Sequence, residues 1–152
     1  MKTGDIVSNF VLKDENGNNF DLYKNLDKKV LLAFYPKDDT LVCSTQLSDY
    51  NKNLNDFIKN GVRVVGISTD SIESHSNFCN KLKLNFPLLA DVDKTVSKQF
   101  DAVNFLGMNK RLLVLIGTDK KILWIDSTML FTYIKTEKIL EKVNSASIKE
   151  MT

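Results

Sequence analysis

The 152-residue sequence predicts an α/β fold in which a mixed central sheet is covered by helices on both faces. Three observations point there. Two unbroken apolar runs, VLLAFY at 30–35 and VRVVGIST at 62–69, have the composition of strands buried on both faces of a mainly parallel sheet. The segments after them repeat their apolar residues at three- and four-residue steps, the period of amphipathic helices. Late in the chain, RLLVLIGT and ILWID are separated only by a short polar turn, which is a hairpin pattern.

In chain order, FVLKDENGNNFDL alternates apolar and polar residues around Asn16, Gly17 and Asn18, and is read as a weakly buried antiparallel hairpin. VLLAFY follows as a central strand, ended by Pro36, which has no N–H to give to a ladder. From Thr40, the residues Cys43, Leu47, Tyr50, Leu54, Phe57 and Ile58 recur at helical spacing up to Gly61, a suitable C′ residue, so a helix is expected over about Leu41 to Asn60. The strand VRVVGIST leads to Ser71, an N-cap candidate with Glu73 and Ser74 in the first turn. The stripe Ile72, His75, Cys79 and Leu82 then places Cys79 on a second helix.

Beyond FPLLAD, a short helix is expected near Asp93 to Asp101, then the hairpin with its turn at Asp119, Lys120 and Lys121. A last helix begins near Tyr133 to Thr136 and carries Ile139, Leu140 and Val143. Trp124, Phe86, Phe100 and Phe105 read as core or pocket lining. There is no internal repeat, low-complexity segment or linker. Length and an apolar content of 43% suit one domain spanning 1–152, and the element order suggests a thioredoxin-like α/β domain.

Lysine and arginine number 21 against 19 acidic residues, and the net charge of +2 is spread along the chain, so no nucleic-acid partner is expected. The N-terminal MKTGDIVSNF lacks the apolar stretch of a signal peptide, and no run approaches the ~18 apolar residues of a membrane span. A cytoplasmic protein that avoids membranes is expected. Its two cysteines, Cys43 and Cys79, are too few for a disulfide scaffold, and Gln46 stands where a C-x-x-C pair would place its second sulfur. His75 and Cys79, four residues apart, could offer two metal ligands on one helix face, but no further nearby His or Cys completes a site.

The stretch FYPKDDTLVCSTQ sets a lone cysteine in the first turn of a helix. There, unpaired backbone N–H groups and the positive end of the helix dipole favour an anion, and the thiolate is the nucleophilic form of cysteine. Thr40 can cap the helix and turn its hydroxyl toward the sulfur or a bound oxygen, while Pro36 stiffens the loop. Equally, Cys43 can simply fill the apolar face that it shares with Leu47 and Tyr50.

The spacing Pro36, Thr40, Cys43, a P-x-x-x-T-x-x-C pattern after a buried FY strand end, resembles the active-site signature of peroxiredoxins. GDIVSNFVLKDENGNNFDL, VLLAFYPKDD, VVGISTDSIESHSNF, FPLLADVDKTVSKQF and RLLVLIGTDKKI follow that family's order, most closely its bacterioferritin comigratory protein branch, within the AhpC/TSA family. The resemblance implies that Cys43 attacks a peroxide O–O bond and becomes a sulfenic acid, with Thr40 and Arg111, the opening residue of RLLVLIGT, holding the peroxide. It implies no metal or organic cofactor.

Two departures stand out. Leu41 and Val42 occupy the place of a Pro-Gly found in many relatives, and Ser48 stands where many branch members carry a resolving cysteine five residues after the first. Other members place that residue on the helix after the next strand, and Cys79, 36 residues past Cys43, occupies this region. The resemblance therefore implies a thiol peroxidase for hydrogen peroxide and organic hydroperoxides, resolved by an intramolecular Cys43–Cys79 disulfide and recycled by thioredoxin or a similar dithiol reductant. The lack of a long C-terminal arm that could reach a second subunit favours the intramolecular disulfide; a monomer or weak homodimer is expected. The alternatives are a peroxide sensor or redox relay using the same sulfenic acid, and a noncatalytic binding module on a thioredoxin fold.

Overall fold

The computed structural model describes residues 1–151, with side chains described through residue 146. Its centre is a seven-stranded sheet of order β2-β1-β5-β4-β3-β6-β7. β3 (Lys29–Phe34), β4 (Val62–Ser68) and β5 (Leu88–Ala90) run parallel, whereas β6 (Arg111–Ile116) and β7 (Ile122–Thr128) continue the sheet antiparallel beyond β3. β1 (Val11–Lys13) and β2 (Asn19–Asp21) form the expected N-terminal hairpin, which joins β5 antiparallel at the other side. Its turn uses Gly17 at φ +78, and the Asp14 carboxylate accepts the N–H groups of Asn16 and Asn18.

Apolar runs make the middle strands because such strands are covered twice. In β3, Leu31 and Ala33 face one core and Val30, Leu32 and Phe34 the other, all fully buried. Full burial of each large side chain contributes about 1.5–3 kcal/mol, which is why this strand carries no polar residue after Lys29. The first core gathers Leu47, Tyr50, Phe57, Phe78, Ile139 and Val143 from the helices α1 (Leu41–Lys52), α2 (Leu54–Lys59), α3 (Ile72–Leu82) and α5 (Thr136–Met151). The second takes Val96 of α4 (Thr95–Gln99), Phe100 and the N-terminal residues Val7 and Phe10. The layers and the hairpin are those of the expected thioredoxin-like fold. Among the described residues no helix is long and apolar enough to cross a membrane.

Two details differ from the sequence reading. The single helix expected over 41–60 is broken at Asn53, which leaves helical geometry at φ −103 and ψ 17 while its side-chain amide, at 2.8 Å, shares the Asp49 carbonyl with its own backbone N–H. Gly61, at φ +72, still ends the second piece as expected. Phe105 is not core lining but is 94% exposed, in a turn organised by the Asn104 side chain, which accepts from the N–H groups of Leu106 and Met108.

Candidate active site

The C-terminal end of β3 and the start of β6 lie side by side, since Phe34 pairs with Leu112. One residue earlier on β6, Arg111 falls on the same face as Leu113 and Leu115 by the two-residue strand period, and that face is the one α1 covers. The expected Pro36, half-buried, follows the last ladder bond of this edge, Tyr35 N–H to the Ile67 carbonyl. Asp39 then takes φ +59, Thr40 is extended at the N-cap, and α1 begins at Leu41.

Cys43 is consequently the third residue of α1 and is fully buried. The first intrahelical bond runs from Ser44 N–H to the Thr40 carbonyl at 2.8 Å, so the N–H groups of Leu41, Val42 and Cys43 precede the helix's own bonding. Arg111, 5% exposed, donates from Nη1 to Cys43 Sγ at 3.0 Å and to Gln46 Oε1 at 3.0 Å, and from Nε to the Leu130 carbonyl at 2.8 Å. A guanidinium held by two fixed acceptors is thereby aimed at the sulfur, and an ionised donor of this kind makes the stronger class of hydrogen bond. The arrangement can stabilise a thiolate and charge developing on an oxygen beside it.

Thr40 stands at the N-cap as expected, but its hydroxyl donates to the Lys37 carbonyl at 3.1 Å rather than reaching the sulfur, and its side chain caps no N–H. The tight turn at Asp39 brings that carbonyl to it. The part played by Gln46 was not legible in the sequence, where it served only to rule out a C-x-x-C pair. It lies three residues past Cys43, on the buried helix stripe, and its position alone marked it for burial. Its Nε2 donates to the Tyr50 hydroxyl, which donates to the Ile134 carbonyl at 2.7 Å, so a buried chain of bonds backs Arg111 from α1 to the segment before α5.

Cys79 lies on α3 as expected, capped by Ser71, whose hydroxyl accepts from Ser74 N–H. It is 8% exposed, belongs to the same apolar cluster as Cys43, and both thiols are free. Burial pushes the Cys79 thiol up to about 12, and the carboxylates of Glu15, Asp38 and Asp14 add to the shift. The folded protein thus holds this thiol protonated to about pH 12, whereas the unfolded chain releases the proton near 9.0. This contribution to stability is complete below pH 9.0 and is lost as pH rises toward 12. Burial raises the Tyr35 and Tyr50 hydroxyls too, so they act in the same direction. Urea denaturation across this range should show midpoints that fall with pH, less steeply for Cys79→Ala.

Among the described residues, His75 and Cys79 share no ligand cluster. His75 groups instead with Asp38 and Asp70, their ligand atoms within 4.8 Å of one another, and its two ring nitrogens face Asp38 and the Leu89 carbonyl.

Residues 3–125 match the AhpC/TSA family. Peroxiredoxin Bcp of Escherichia coli K12 is 39% identical over 129 residues, covering 80% of this chain and 83% of that protein. Among solved structures, peroxidoxin BcpB of Mycobacterium tuberculosis superposes with a TM-score of 0.86 at 31% identity, covering 95% of this chain and 97% of that one. PrxQ of Xylella fastidiosa, a mutant form, gives a TM-score of 0.88 at 28% identity, covering 97% and 98%.

Proposed function

Because the chain belongs to the AhpC/TSA family and has the thiol-peroxidase activity typical of its Bcp-type members, we propose that Cys43 is its peroxidatic residue. The observation that carries this reading is the Arg111 Nη1 donor 3.0 Å from Cys43 Sγ, at the N-terminal turn of α1. In the proposed reaction the Cys43 thiolate attacks one oxygen of a hydroperoxide. An S–O bond forms, the O–O bond breaks, and the leaving oxygen departs as water or an alcohol after taking a proton. Arg111 steadies both the thiolate and the charge that develops on the oxygens. Pro36 and Thr40 shape the loop, and the Thr40 hydroxyl turns from the Lys37 carbonyl to the substrate oxygen when peroxide enters.

The sulfenic acid on Cys43 is then attacked by the Cys79 thiolate, forming the disulfide and releasing water. A dithiol reductant of the thioredoxin type restores both thiols by exchange. Two electrons reduce the peroxide and two thiols supply them. The buried, protonated state of Cys79 supports a sequence in which this thiol becomes reactive only after the first turn of α1 and the α3 face loosen, since a disulfide needs Cα atoms within about 7 Å and a deprotonated attacker. The whole chain would act as one cytoplasmic domain, a monomer or weak homodimer.

Intact mass under denaturing, nonreducing conditions, after one equivalent of hydrogen peroxide, tests the resolving step. Loss of two hydrogens without a covalent dimer is expected for the wild type, and gain of oxygen for Cys79→Ser. Gain of oxygen by the wild type would leave Cys79 as a core residue and the enzyme dependent on an external thiol.

A further inference from the structure

The loop between Pro36 and Thr40 is fastened by a buried polar network that the reaction above does not use. Asp38 is 6% exposed, and its carboxylate accepts from the Tyr35 hydroxyl at 2.6 Å and from the Ser74 hydroxyl at 2.8 Å. It also meets His75 Nδ1 at 2.7 Å. His75 is fully buried, with Nε2 3.0 Å from the Leu89 carbonyl. A carbonyl only accepts, so Nε2 carries a hydrogen, and the contact between Nδ1 and the carboxylate holds a proton between ring and acid whichever formally owns it. The main chain is fixed as well, because Asp38 N–H donates to Asp70 at 2.8 Å and the Ser68 hydroxyl holds that acid at 2.6 Å.

Asp38 therefore has both its side chain and its peptide locked, one residue before the left-handed Asp39 and two before the N-cap of the helix that bears Cys43. Lys81 of α3 pairs with Asp39 and adds a surface tie across the same gap. A buried polar network whose members are hydrogen-bonded is a costly way to gain stability and a good way to fix one geometry. We propose that Asp38 and His75 are positioning residues for the peroxide step. Their pair holds the 36–40 loop so that the free N–H groups of α1 and Thr40 are set around Cys43. This rests on the reading of Cys43 as the peroxidatic residue. His75 also lies one helical turn before Cys79, so the pair joins the segments of both cysteines.

The test uses the full chain carrying Cys79→Ser, with Cys43 as its single thiol, and compares its rates with hydrogen peroxide and with iodoacetamide. Asp38→Ala and His75→Leu are each expected to slow the peroxide reaction by about 100-fold, the scale of a ~1 Å misplacement, with alkylation unchanged or faster because it needs only an accessible thiolate. Asp38→Asn should stay within about fivefold of the parent, since its amide can donate to Nδ1 and its oxygen can accept from Tyr35. Should neither truncated protein fold, Tyr35→Phe removes one donor without a cavity and is expected to slow peroxide about fivefold with alkylation not slowed. Folded variants that keep the parent's peroxide rate, or that lose both rates together, would overturn the positioning role. A parent whose Cys43 resists peroxide would overturn the reading of Cys43 instead.

Discussion

Replacing Cys43 with serine is expected to lower peroxide consumption by ~10⁴-fold or more, the scale of losing a nucleophile rather than one of its supports. The site is built around that sulfur. Arg111 Nη1 donates to it at 3.0 Å in the first turn of α1, and in the proposed reaction the sulfur carries charge, for which a hydroxyl at the same point offers no comparable anion at neutral pH. The fold should survive the change, because serine keeps an acceptor for the Arg111 N–H and removes little volume from a fully buried position. Circular dichroism that matches the wild type, together with a peroxide assay at background, is the expected pair of results. Substantial turnover by the serine protein would place the chemistry elsewhere.

Arg111→Ala should slow Cys43 oxidation by about 10²–10³-fold, as removal of one donor from a charge-stabilising site does. A second effect accompanies the first. The Gln46 oxygen loses its donor in a buried setting, at about 1–3 kcal/mol, and the part-buried Leu130 carbonyl loses its donor too, so the melting temperature should fall as well. Arg111→Lys separates the two effects. It keeps a positive charge but not a planar fork able to serve sulfur, Gln46 and Leu130 together, so a rate between those of wild type and alanine is expected. Stopped-flow oxidation and thermal denaturation of the three proteins measure the two quantities independently.

The layers of the fold were legible because burial on both faces leaves a run such as 30–35 with no polar alternative, and because a one-sided helix repeats its apolar residues. The break at Asn53 was not, since it turns on one side-chain amide that folds back onto Asp49 and shares its carbonyl with the Asn53 backbone N–H. Cys43 was visible from its place at a helix start, and Arg111 from the resemblance. The partners that aim Arg111 were hidden: Leu130 contributes only a backbone carbonyl, and Gln46 shows its role only once strand pairing brings β6 beside the end of β3. For the same reason Asp38 and His75, 37 residues apart, gave no sign of their pairing. The Thr40 hydroxyl was assigned by type, while its partner is set by the left-handed turn at Asp39.

The most direct measurement treats reduced wild-type protein with one equivalent of hydrogen peroxide in the presence of a sulfenic-acid trapping reagent and maps the label by peptide mass. Label confined to the peptide containing Cys43, lost in Arg111→Ala when sampled at early times, is the expected result. Label on Cys79, or peroxide persisting beside an unmodified Cys43, would contradict it.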